Sequence, residues 1–331
     1  MKPYNLLTIL GPTASGKTAL AAHLAARLNG EVISADSRQV YRGMDIGTGK
    51  DLTDYWVDGR LVPVHLVDLV DAGYQYNVFE YQRDFLKVWD DLCQRGKFAV
   101  LCGGSGLYLE AVLKNFRLIR VPVNEKLRQS LQGKSLEELT AILKTYKQKL
   151  HNITDIVNEK RAIRAIEIED YCKKHPDRAD LLSTGSQPSS SGNPQADSEN
   201  LLSGYDNLNP LIVGIKYERE ARRERITQRL HQRLEEGMIG EVSHLLDQGI
   251  HPEDLVYYGL EYKYITLYLT GELTYPDMVE KLNIAIHQFA KRQMTWFRKM
   301  ERQGTLIHWL DGELPLEKKV ERVMELLNLK I

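Results

Sequence analysis

The sequence predicts an α/β protein: a parallel sheet flanked by helices, interrupted by a small all-helical insertion. Three observations carry that reading. Short apolar runs at Tyr4–Leu10, Glu31–Ala35, Val62–Val67 and Phe98–Cys102 have the length and content of buried strands. Between them, Thr18–Leu28 and residues 78–95 carry apolar residues at helical spacing, an alternation that belongs to parallel sheets covered on both faces. After about residue 120 the pattern becomes wholly helical, and strand-like runs return at Leu211–Ile215 and Thr305–Leu310.

Taken in order, the chain divides at residues 1–118 (first part of the core), 119–182 (helical insertion), 183–207 (linker) and 208–331 (second part of the core with C-terminal helices). In the third run the strand is expected to begin after Pro63, which cannot donate to a ladder. In the insertion, Ser135 and Glu138 fit a capping box, with Leu136, Leu139, Ile142, Leu143 and Tyr146 as one stripe behind it. A second helix is expected over Asp155–Lys174. Ser183–Ser198 has almost nothing to bury and reads as a disordered linker.

Composition narrows the function. With 43% hydrophobic and 27% charged residues and no apolar run of membrane length, the expectation is a cytoplasmic protein without a span. The start of the chain has no charged, apolar and small-residue succession of a signal peptide. Cys93, Cys102 and Cys172 form no CxxC pair, and the histidines show no ligand spacing. A net charge of -1 is unusual for a nucleic-acid binder, so what matters is whether the basic residues cluster.

Gly11, Pro12, Thr13, Ala14, Ser15, Gly16, Lys17 and Thr18 match GxxxxGK[ST] between a predicted strand and a predicted helix, the context this motif requires. Glycines let the backbone curl so that several N–H groups converge, and the following helix adds its positive end. Lys17 supplies a full charge, and the Thr18 hydroxyl is suited to magnesium. The fold is therefore expected to be P-loop NTPase-like, with a bound phosphate or diphosphate. Such sites in kinases and nucleotidases need an acidic residue at a strand end for the metal, and Asp68 or Asp36 would serve.

Asp36, Ser37, Arg38 and Gln39 follow the second strand, on the side where parallel sheets bind ligands. A carboxylate there can act as general base, and an amide can read an adenine edge. Position alone leaves open that Asp36 and Ser37 only cap a turn.

The strings Gly11–Thr18, Ile33–Tyr41, Gly43–Lys50, Gly103–Tyr108, Asn158–Glu167 and Ala290–Arg298, in this order, closely resemble bacterial tRNA dimethylallyltransferases, also called tRNA isopentenyltransferases. The resemblance runs from about residue 6 to residue 310. It implies transfer of a dimethylallyl group from dimethylallyl diphosphate to N6 of the adenosine 3′ of the anticodon, with release of diphosphate and help from magnesium. By resemblance Asp36 is the general base, Thr13, Lys17, Thr18 and Arg225 attend the diphosphate, and Thr18 ligates the metal. Ser37 and Gln39 would contact the target adenosine, and Arg38, Ser105, Arg128, Arg161 and Arg164 would join Asp36 in holding the tRNA anticodon stem-loop. The enzyme is expected to act as a monomer. A small-molecule kinase or nucleotidase is the alternative.

Basic residues do cluster. Lys216, Arg219, Arg222, Arg223, Arg225, Arg229 and Arg233 lie in one segment, though interleaved glutamates give all but Arg225 the look of a solvated face. Lys291, Arg292, Arg298, Lys299 and Arg302 form a second group, and Lys160, Arg161 and Arg164 a third. Such groups position phosphates rather than read sequence. Of the adjacent Trp296 and Phe297, at least one is expected in the core. The chain departs from its relatives at Glu261-Tyr262-Lys263, where Gly-Tyr-Arg is common, and lacks the usual proline after Lys50.

Overall fold

The computed structural model describes residues 3–146, 156–176 and 207–328. They fall into two compact units, one within Met1–Phe116 and Asn200–Ile331, the other within Arg117–Glu199.

The first unit is built on a six-stranded parallel sheet: β1 (Leu6–Leu10), β2 (Gly30–Ala35), β5 (Val64–His65), β6 (Phe98–Gly103), β7 (Pro210–Lys216) and β8 (His308–Asp311), in the order β5-β2-β6-β1-β7-β8. A separate two-stranded ribbon, β3 (Trp56–Val57) with β4 (Arg60–Leu61), pairs antiparallel. Every residue of β1 is buried, as a continuous apolar run requires in the middle of a sheet covered on both faces. The faces are closed by α1 (Lys17–Arg27), α2 (Val78–Gln94), α3 (Gly106–Leu113) and the helices of the C-terminal half. Those are α7 (Arg219–Glu235), α8 (Met238–Asp247), α9 (Pro252–Tyr257), α10 (Leu260–Leu269), α11 (Tyr275–Arg302) and α12 (Leu316–Leu326). Among the described residues no helix is long and apolar enough to cross a membrane.

Register decides where the site lies. Leu10 pairs with Gly103, and Gly103 pairs with Ala35, so β1, β6 and β2 end level and side by side. Their outgoing loops, Gly11–Gly16, Gly104–Ser105 and the loop from Asp36, therefore open onto one edge, the side on which α/β sheets hold ligands.

The third predicted strand is shorter than expected. It starts after Pro63, but Leu66 and Asp68 take left-handed backbone angles, φ 62° and 54°, which end an extended strand after His65.

The second unit holds α4 (Glu125–Leu131), α5 (Leu136–Tyr146) and α6 (Glu159–Lys174). Leu131, Leu139, Leu143, Ala162 and Ile166 make its small core, with Leu136, Ile142 and Tyr146 packed against it. The Ser135–Glu138 capping box is present: Ser135 N–H donates to Glu138 Oε2 at 2.7 Å and Glu138 N–H to Ser135 Oγ at 3.3 Å. The second helix begins four residues later than expected, because Asn158 caps it, its side chain accepting from Arg161 N–H. Asp155 and the linker expected over 183–207 lie outside the described residues, save residue 207.

Candidate active site

The glycine-rich loop leaves β1 and enters α1 with Gly16 at φ 75° and, unusually for a residue with a side chain, Ala14 at φ 59°. Left-handed alanine costs roughly 1–2 kcal/mol, so the loop is held in this shape by its surroundings. Arg225, on α7, donates through Nε to Ala14 O at 3.2 Å while its guanidinium lies over the Tyr217 ring at 4.6 Å. Gln293, on α11, accepts Thr13 N–H at 2.9 Å. Ser15 Oγ is buried and finds no hydrogen-bond partner among the described residues.

Burial pulls the Lys17 pKa below the usual lysine value, helped by Arg229, against the opposing pull of the Asp36 and Asp51 carboxylates. Cys102 itself is pushed up to about 12 by burial and remains a thiol, its Sγ 3.6 Å from Lys17 O.

Asp36 stands just past β2, and its Oδ1 accepts Arg38 N–H at 2.9 Å, the short turn that the capping reading foresaw. The carboxylate still acts electrostatically on Lys17 and makes no ion pair among the described residues. Ser37 N–H donates to Ser105 Oγ at 3.0 Å, so the β2 and β6 loops are joined. Arg38 lies over the Tyr257 ring at 5.3 Å. The Gln39 amide is engaged at both ends, Nε2 donating to Gly49 O and Oε1 accepting from Ser34 Oγ, each at 3.0 Å. Both contacts lie within the segment from Ser34 to Gly49 and tie the loop to the end of β2.

That loop is pinned twice more. The Glu241 carboxylate accepts the N–H groups of Asp45, Ile46 and Gly47 at 2.9, 2.7 and 3.0 Å. The fully buried Lys50 ammonium pairs with Asp45 at 2.8 Å and with Asp68. Asp68, one of two candidates for a metal ligand, is thus tied to Lys50 beneath the loop.

Sequence reasoning missed several residues. Arg229 and Arg233, which looked like part of a solvated face, both pair with Asp51, and Arg233 is only 8% exposed. With Thr13, Ala14 and Glu261 they line a cavity of about 10 Å³, room for a single water. Burial pushes the Glu261 carboxyl above its usual value. The departure at Glu261 therefore lies against the back of the phosphate loop, a position that local sequence does not advertise.

In the second unit, Arg128 and Arg164 converge on Glu167, which is 1% exposed. Arg128 donates to it from Nε and Nη2, both at 3.0 Å. Arg161 is exposed on the same helix as Arg164. On α11, Phe297 is fully buried, as expected for one of the two adjacent aromatics.

Residues 39–300 match the IPP transferase family, and residues 4–60 match the description isopentenyl transferase. The chain belongs to the IPP transferase family. It is 56% identical to tRNA dimethylallyltransferase 1 of Parabacteroides distasonis and 58% identical to tRNA dimethylallyltransferase 2 of Bacteroides fragilis, covering 99% of each chain and of itself. Among solved structures it resembles the tRNA isopentenylpyrophosphate transferase of Bacillus halodurans, with a TM-score of 0.66 and 32% identity over 98% of this chain and 95% of that one. A eukaryotic dimethylallyltransferase acting on tRNA, 20% identical with a TM-score of 0.71 over 99% and 81%, shares the fold. These relatives do not favour the kinase or nucleotidase alternative.

Proposed function

We propose that the protein transfers a dimethylallyl group from dimethylallyl diphosphate to N6 of the adenosine 3′ of the anticodon in tRNA, releasing diphosphate. One observation carries the reading: a phosphate loop with Lys17 opens beside Asp36, a carboxylate that forms no ion pair among the described residues. Breaking the allylic C–O bond builds negative charge on the leaving diphosphate. Lys17, the loop amides and Arg225 would oppose that charge, and groups aimed at developing charge lower barriers most. Asp36 takes the proton from the adenine amine as the new C–N bond forms. The target base must leave its stack to enter, so the reaction implies base flipping.

Magnesium suits the site. Its donors are hard oxygens, the Thr18 hydroxyl with the Asp36 carboxylate that acts on Lys17. Thr18 would be its protein ligand, with phosphate oxygens completing the shell. When bound it would add to the neutralisation of the leaving group. On the acceptor side, Ser37, Arg38, Gln39 and Ser105 would shape the adenosine pocket, and Arg161 in the helical unit would hold tRNA phosphate. We further infer a cytoplasmic, monomeric enzyme, in keeping with a tRNA substrate.

The test is a transfer assay with purified protein, magnesium, radiolabelled dimethylallyl diphosphate and unmodified tRNA. Label should enter the tRNA and vanish when the adenosine next to the anticodon is replaced. Phosphate release from ATP without prenyl transfer would overturn the reading.

A further inference from the structure

The phosphate loop and the β6 loop are joined by one side chain that no local motif points to. Gln293 is only 7% exposed, and its amide faces both loops. Oε1 accepts Thr13 N–H from the phosphate loop at 2.9 Å, and Nε2 donates to Gly104 O from the β6 loop at 3.0 Å. The next residue, Ser105, accepts Ser37 N–H through Oγ at 3.0 Å. The path therefore runs Thr13, Gln293, Gly104, Ser105, Ser37, and ends beside Asp36.

Three features say this clamp is built in. The buried Gly104 carbonyl must find a partner, and the Gln293 amide supplies it while also accepting the half-buried Thr13 N–H. The approach leaves no room for a side chain: a Cβ on Gly104 would lie 2.5 Å from Gln293 Nε2, and one on Gly106 would lie 2.5 Å from the Trp296 ring, three residues along α11. Finally, Thr13 N–H points to Gln293, which removes it from the amides available to the diphosphate. Only a side chain with an acceptor and a donor at its tip fits both contacts.

We propose that Gln293 is a positioning residue for the reaction, fixing the phosphate loop and the Asp36–Ser37 loop at one separation so that donor and acceptor meet in register. The proposal rests on the prenyl-transfer reading. Misplacing reacting groups by about 1 Å can cost ~100-fold in rate, which sets the scale expected for loss of the clamp.

Gln293→Leu and Gln293→Glu are compared with the wild-type enzyme for kcat, both KM values, unfolding temperature and affinity for inorganic pyrophosphate. Gln293→Leu should lower kcat by ~100-fold while tRNA binding on filters is unchanged. Gln293→Glu is the sharper variant. As a carboxylate it repels Gly104 O, whereas as a neutral acid it can again accept from Thr13 and donate to Gly104. Its kcat relative to wild type, and its pyrophosphate affinity relative to wild type, should therefore rise as the pH is lowered. A merely structural glutamine predicts lowered unfolding temperatures with pH-independent ratios, and that result overturns the proposal, as does wild-type kcat in both variants. If the wild-type enzyme transfers no prenyl group, the functional reading fails, and the pyrophosphate ratios alone still decide whether the clamp shapes the phosphate loop.

Discussion

Two carboxylates, Glu167 in the helical unit and Asp36 in the α/β unit, stand in opposite circumstances. Glu167 accepts Asn124 N–H at 2.6 Å, two bonds from Arg128, and one from Arg164. Asp36 accepts one backbone N–H and forms no ion pair among the described residues, although the Lys17 ammonium lies within its field. The difference separates charge that holds the fold from charge left available for chemistry. A buried carboxylate closed by two guanidinium groups has no capacity left for a substrate proton. An acid with one side uncommitted does.

The largest effect that would test this contrast is at Asp36. Asp36→Ala should cut kcat by about 10²–10⁴-fold, the usual range for a general base, while leaving pyrophosphate affinity nearly intact. Single-turnover transfer with saturating donor measures it. Near-normal turnover would place the proton elsewhere and dissolve the contrast.

The phosphate loop and Asp36 were legible because their chemistry is local: eight consecutive residues, and a carboxylate directly after a strand. The residues that shape the site were not. Gln293 and Thr13 are 280 positions apart, and Arg229 meets Asp51 across 178, so neither pairing leaves a trace in local pattern. Gln293 did lie in a string that resembles the family, but resemblance marks a stretch without saying what each side chain touches. The interleaved glutamates after Lys216 suggested a solvated helix, yet Arg233 is buried because α7 turns that side toward Asp51 and Glu261. The early end of β5 was hidden for another reason. Asp68, one of the two residues with left-handed angles there, is paired with Lys50, and local pattern reveals neither the angles nor the pair.

Glu167 should show the reverse profile. Removing one partner from a buried ion network costs about 3–5 kcal/mol, so Glu167→Ala should unfold the helical unit while donor-site binding of pyrophosphate persists. Burial tends to raise the Glu167 carboxyl, but Arg128, the Asn124 N–H and Arg164 outweigh it and leave the pKa below the ordinary 4.5. A lowered carboxyl contributes stability that is present above its unfolded value and lost as pH falls through the folded one. Acid titration of the wild-type unfolding temperature should therefore show a loss beginning near pH 4.5 that Glu167→Gln lacks. Equal acid sensitivity in the two proteins would mean the network contributes nothing.

Arg225 lies between these extremes, since it is anchored by a carbonyl and an aromatic face but by no carboxylate among the described residues. A hydrogen bond to a charged group is worth about 1.5–3 kcal/mol, so Arg225→Leu should weaken donor binding by roughly 10–100-fold. Lysine at this position keeps the charge but loses the planar stack on Tyr217, and Arg225→Lys should recover only part of the affinity. Isothermal titration with pyrophosphate reads both variants, and full recovery by lysine would show that the stack is incidental.

The smallest effect sharpens the comparison inside one unit. Arg128 is closed onto Glu167, whereas Arg161 is exposed and leaves its side chain at the surface. If a guanidinium closed onto a buried acid is structural and one at the exposed surface contacts RNA, Arg161→Ala should weaken tRNA binding a few-fold and reduce the salt dependence of that binding by about one unit of slope. Its unfolding temperature should move less than that of Arg128→Ala. Arg128→Ala should do the opposite, lowering stability first, because it strands a buried carboxylate without half of its partners. Filter binding at several salt concentrations, run beside thermal unfolding, measures the two together. A reduced salt slope in Arg128→Ala with unchanged stability would mean that the guanidinium serves RNA despite its contact with Glu167, so that closure onto a buried acid does not by itself withdraw a charge from RNA.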